Sequence, residues 1–221
     1  MKIHVFASAA AGVAMLASSA AAQVCQGDLS FRASPTHIGG ALGISDHSTV
    51  YGGGMSFGHV RGLYGGGSLG LASYDGFNGT GFNLGGGVGY AMPLADRSAW
   101  QLCPGATLNL GFGPSQDVGG TTVHISQQTF TLGASVGRSL PLNKTVSLLP
   151  FGSVALGHTS MHASANGLTG SSSDTYLQLG FGAGFQLSPN LVLRPALNVL
   201  AGADLVDDTI FSFGVTFALP R

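Results

Sequence analysis

Glutamate is absent from this 221-residue chain, lysine occurs only at Lys2 and Lys144, tryptophan once and cysteine twice. Charged residues make up 8% of the sequence, against about 25% in ordinary soluble domains. A soluble domain of this size needs a wetter surface, so the scarcity of charge points to a chain whose outside meets lipid. The formal net charge of −1 is too close to neutral for a nucleic-acid or other polyanion binder. After its first residues the chain also contains no run of 18 apolar residues, which removes a helical membrane span.

The one apolar run stands at the start, where Lys2 precedes Ala7 to Ala17 and then Ala20, Ala21 and Ala22. A basic residue, a short apolar stretch and an A-x-A site predict a secretory signal peptide over residues 1–22. Residues 23–35 then read as an N-terminal periplasmic segment and 36–221 as the transmembrane domain. Val24 ahead of Cys25 disfavours lipidation, which wants a small residue there. Cys25 and Cys103 are an even pair in an oxidising compartment, where one disulfide is the expectation and two unpaired thiols the alternative.

What the chain has in abundance is alternation. Phe211, Phe213, Val215, Phe217 and Leu219 fall on one face of an extended segment and Ser212, Gly214, Thr216 and Ala218 on the other. A period of two over this length suits the ~9 to 11 residues with which a tilted strand crosses a bilayer. Residues 100–112, 177–187 and 82–92 separate greasy from small-polar positions in the same way. A soluble barrel would instead put its larger polar residues outside.

Turn signals divide the chain into hairpins. Short connectors at His59 to Gly62, Pro93 to Ser98, Ser139 to Thr145 and Ser188 to Asn190 alternate with others at Ser45 to Ser48, Asp75 to Thr80, Gly113 to Gly120, His162 to Asp174 and Asp204 to Asp208. The first set reads as periplasmic turns and the second as external loops, His162 to Asp174 being the longest. Eight strands follow at 62–74, 81–92, 99–112, 122–138, 145–160, 175–187, 191–203 and 209–219, and two more at 36–44 and 48–58. The expected fold is all-β, a closed antiparallel up-and-down transmembrane β-barrel of about ten strands; the alternative is eight strands with an N-terminal plug. Closure follows because open sheet edges are unsatisfied in lipid. Aromatic girdles are expected from Phe57, Tyr64, Tyr90, Trp100 and Phe217 at the inner rim and Tyr51, Tyr74, Phe82, Phe112 and Tyr176 at the outer.

The leader, the alternating glycine-rich strands and the final FSFGVTFAL together resemble the small outer-membrane β-barrel family of Gram-negative bacteria, over nearly all of the mature chain. The resemblance implies that the last strand, with Phe211, Phe213, Val215, Phe217 and Leu219, is read by the barrel-assembly machinery. It also implies residence among outer-membrane lipid and lipopolysaccharide. A monomer without cofactor is the expected state.

Thirty-seven glycines weaken strands, but inward glycines in a narrow barrel make room. Arg194, Asn198 and Gln178 are the candidates to fold across the lumen, or to border a thin water path. Motif matches dissolve: Gly66 to Gly70 fits G-x-S-x-G, and Gly65, Gly67 and Gly70 fit G-x-G-x-x-G, yet both motifs require a strand-to-helix turn. His158 and His162 have helical, not strand, ligand spacing, so no metal site is expected. The enzymatic alternative rests on His158-Thr159-Ser160 and His124-Ile125-Ser126. In each, positions i and i+2 share a strand face, and His158 could activate Ser160 with Asp174 as orienter, similar to outer-membrane lipid A deacylases. The reading preferred from sequence is a non-enzymatic envelope protein with a structural or surface-interaction role. Its rival is a narrow pore biased toward anions by Arg194.

Overall fold

The computed structural model describes residues 24–32, 34–75, 79–94, 99–118, 121–165, 168–203, 205 and 209–220; the expected leader lies outside them. Ten long strands form the wall: β1 (Thr36–Ser45), β2 (Ser48–Gly58), β3 (Gly62–Tyr74), β4 (Thr80–Pro93), β5 (Trp100–Phe112), β6 (Thr121–Arg138), β7 (Ser147–Ala165), β8 (Leu168–Ser188), β9 (Leu191–Ala201) and β10 (Thr209–Ala218). Each pairs antiparallel with its neighbours in sequence. The sheet closes where β1 meets β10, from His37 opposite Ala218 to Ser45 opposite Ile210. Closure pairs the backbone groups that an open edge would leave bare in hydrocarbon.

Alternation decides which face meets lipid. On β10, Phe211, Phe213 and Phe217 stand exposed outside while Ile210, Gly214, Thr216 and Ala218 are buried inside. Leu177, Leu179, Phe181, Phe185 and Leu187 do the same on β8. The belt is edged by outward aromatics: Phe82 and Phe112 pack with centroids 6.5 Å apart at the outer rim, and the Arg138 guanidinium lies 5.4 Å over the Trp100 ring at the inner rim. Three expected girdle members are elsewhere. Tyr64 and Tyr176 are buried in the barrel, and Tyr74 packs against the inward pair Val50 and Ala72. The parity of Leu63, Leu69 and Leu71, exposed on β3, sends Tyr64 and Tyr74 inward whatever their distance from a strand end.

The largest departure from expectation is at the outer end. β1 and β2 stop at the belt, joined through Asp46 and His47. β6, β7 and β8 instead run for 18, 19 and 21 residues, well beyond the ~9 to 11 needed to cross. The described residues of the expected loop His162 to Asp174 are strand, paired from His162 opposite Ser171 up to Ala165 opposite Leu168. A short strand, Gln116–Val118, lies in the expected Gly113 to Gly120 loop and pairs with β6. Four strands therefore continue as a sheet beyond one side of the barrel, β7 running five residues and β8 seven residues past the ends read from sequence.

Candidate functional site

Ten strands and an N-terminal plug coexist. The described residues 24–32, 34 and 35 turn back into the inner end of the barrel, starting with a single 3-10 turn at Val24–Gln26. The segment brings apolar side chains to two places on the wall. Val24 and Leu29 pack with Leu149, Val192 and Ala218; Cys25 and Phe31 pack with Tyr64, Ala91 and Cys103. Cys25 and Cys103 are joined by a disulfide with Cα atoms 6.1 Å apart. Phe31 stacks on His37 with centroids 4.6 Å apart.

Polar groups complete the docking. Asp28 is 0% exposed; its Oδ1 accepts from the Leu29 amide at 2.8 Å and its Oδ2 from Thr216 Oγ1 at 2.9 Å. Arg194, 9% exposed, donates from Nη1 to the Gln26 carbonyl at 3.2 Å. Gln26 Nε2 donates to the Tyr64 hydroxyl at 3.4 Å. Gly184 shows why the wall is so rich in glycine: a Cβ there would strike the Gly27 carbonyl oxygen and come within 2.8 Å of its carbon. Gly27 itself has φ +71°, a left-handed conformation that glycine adopts without strain.

Beside the plug the lumen keeps a cavity of about 100 Å³, lined by Gln26, Tyr64, Cys103, Thr107, Thr131 and Gln178 among others. A polar layer fills the barrel from there outward. Thr107 bonds Thr131, Gln127 Nε2 donates to Thr129 Oγ1 at 2.9 Å, and Thr129 bonds Thr159 at 2.9 Å. Gln178 Nε2 donates to Asn198 Oδ1 at 3.2 Å. Toward the outer end, apolar groups return as Tyr176, Leu200 and Ile210 on one side and Val50 and Ala72 on the other. Polar packing thus lies between two apolar layers.

Arg194, Gln178 and Asn198 all lie within the barrel, but Arg194 is engaged by the plug instead of crossing an open lumen. Sequence reasoning missed Asp28, Leu29, Phe31, His37 and Thr216. An acid flanked by glycine and leucine was their one local signal. In the last strand Leu219 stands just past β10, its amide donating to the Thr36 carbonyl at 3.0 Å.

The outward H-x-S pair has part of the geometry of an activated serine. Ser160 Oγ lies 3.4 Å from His158 Nε2, and His158 Nδ1 meets Thr175 Oγ1 at 2.9 Å. Asp174 is not its orienter. It neighbours Thr175 on an alternating strand and so faces the other way, its oxygens taking the Thr175 amide at 2.7 Å and the Leu205 amide at 3.3 Å. Among the described residues no three His, Cys, Asp or Glu side chains gather as a metal cage.

A family model described as the outer membrane protein beta-barrel domain matches residues 7–218. No curated protein matches the sequence. Among solved structures, the β domain of the Bordetella autotransporter BrkA is similar at 14% identity and a TM-score of 0.51, covering 83% of this chain and 98% of that one. The attachment invasion locus protein Ail of Yersinia pestis is 18% identical with a TM-score of 0.43, over 82% and 95% of the two chains. The outer membrane protease OmpT of Escherichia coli is 10% identical with a TM-score of 0.47, over 87% and 99%. Likeness at such identities concerns the fold alone. By its family match over nearly its whole length, the chain belongs to the outer membrane β-barrel protein family and resides in the outer membrane of a Gram-negative bacterium.

Proposed function

We propose that this protein is a non-enzymatic barrel that spans the outer membrane as a monomer, keeps its lumen closed, and acts through the sheet it holds outside as a structural or surface-interacting component of the envelope. The observation that carries this reading is the plug: residues 24–35 fill the inner end and are cross-linked to the wall through Cys25 and Cys103. A wall shaped by Gly184 to receive the Gly27 backbone favours a docked state that is part of the fold. The work then falls to the outer surface, where β6 to β8 offer a paired sheet instead of the loops read from sequence. Lipid and lipopolysaccharide surround the belt, and the assembly machinery reads the closing strand β10.

A second reading, a narrow pore, draws on the polar middle layer and on Arg194, which would favour anions once the plug left. A lipid hydrolase at Ser160 has the weaker case, because Thr175 and not a carboxylate orients His158. Single-channel recording of the refolded mature protein in a planar bilayer, with and without reductant, separates the first two. Silence in both conditions supports the closed barrel. Discrete steps after reduction alone would make residues 24–35 the removable stopper of a pore, and steps without reductant would overturn the closed reading outright.

A further inference from the structure

The register of the external sheet brings together two histidines that are 38 positions apart in sequence. Ser126 on β6 stands directly opposite His162 on β7, and His124 opposite Ser164, so His124 and His162 are diagonal neighbours on adjacent strands. Both belong to the outward series of their strands, which lower in the wall includes Phe130, Leu132, Val154 and Leu156. Diagonal pairs of this kind sit about 7–8 Å apart, within reach of aromatic side chains. Both histidines also line one cavity of about 280 Å³, together with Phe112, Ser126 and Ser164.

His124 is oriented by a second group. The Gly113 amide donates to the Ile125 carbonyl at 2.9 Å, and this folds the chain back so that Ser115 Oγ lies 2.9 Å from His124 Nδ1. In the tautomer that donates Nδ1–H to this hydroxyl, the lone pair is on Nε2 and free for a ligand. An outer hydrogen bond that fixes the imidazole tautomer in this way is the usual companion of a metal-bound histidine.

We propose that His124 and His162 form a surface site for a divalent transition-metal ion, Zn²⁺ or Cu²⁺. Each imidazole supplies one nitrogen, and water completes the coordination. Imidazole suits these ions, and two protein ligands leave two positions of a tetrahedral ion to water, one more than the three-ligand catalytic zinc sites leave open. His158 is not part of the site. Four residues along the same strand, it lies about 13 Å from His162, with Nδ1 at Thr175 and Nε2 near Ser160.

The test uses the untagged mature protein in detergent micelles, titrated with ZnCl₂ by calorimetry and with Cu²⁺ by electron paramagnetic resonance. The proposal expects one equivalent bound and nitrogen hyperfine structure from two imidazoles. His124→Ala and His162→Ala should each weaken affinity at least ten-fold, Ser115→Ala several-fold, and His158→Ala not at all. Circular dichroism of each variant verifies the barrel, since all four positions lie at the surface. No binding by the parent protein, binding that survives both histidine variants, or equal loss on His158→Ala would overturn the site.

Discussion

Reduction of the Cys25–Cys103 bond should lower the stability of the barrel by an amount set by the chain it closes. The two residues are 78 apart in sequence. For a loop of that size the chain-entropy relation gives about 4.5 kcal/mol at 25 °C. Contacts that already constrain the unfolded chain reduce the figure, so a loss of about 2–4 kcal/mol is expected. With a urea slope of ~1–3 kcal/mol per molar, the unfolding midpoint should fall by roughly 1–4 M. The assay is urea unfolding in lipid vesicles, followed by tryptophan fluorescence from Trp100 and run on oxidised protein, reduced protein and a Cys25→Ser, Cys103→Ser double variant. The last two should coincide. Equal midpoints for oxidised and reduced protein would refute the reasoning, because a cross-link closing so long a loop cannot be neutral unless the denatured state already holds the two ends together.

Gly184→Val should drive the Gly27 backbone off β8, destabilising by about 1–3 kcal/mol as overpacking does and exposing residues 24–35 to added protease; cleavage no faster than in the parent protein would count against close docking. Thr216→Val removes the hydroxyl that donates to buried Asp28 and should cost about 1–3 kcal/mol for the acceptor left unpaired, read from the urea midpoint. Phe213→Arg places a cation on the lipid face midway along β10 and should cost about 2–4 kcal/mol in vesicles, whereas an unchanged midpoint would mean that this face does not meet lipid. Ser160→Ala should leave the lipid A acylation pattern of the cell as it was, and a changed pattern would revive the hydrolase.

Much of the barrel was legible because strand alternation is local. Once Phe211, Phe213 and Phe217 face one way, the pleat alone puts Gly214 and Thr216 inside, and lipid demands the greasy face. The even strand count and the alternation of turns followed from the same pattern. The tyrosines were misplaced because their assignment to girdles used distance from a strand end, whereas the parity of Leu63, Leu69 and Leu71 already pointed Tyr64 and Tyr74 inward. The external sheet had no such signal. In Leu168 to Thr175 both faces meet water, so serine and glycine run on without period, and only pairing with β7 shows the strand.

The sequence by itself determined the membrane class and the faces of the wall strands, since composition and a two-residue period suffice for these; it made a disulfide an expectation, and the fold brought Cys25 to Cys103. Tertiary structure alone decided the contents of the lumen and the arrangement outside it. Gly27 against Gly184, Asp28 on Thr216, Arg194 on Gln26, and His124 beside His162 all join residues from distant parts of the chain. Their meeting depends on barrel closure and strand register, which no local pattern of residues encodes.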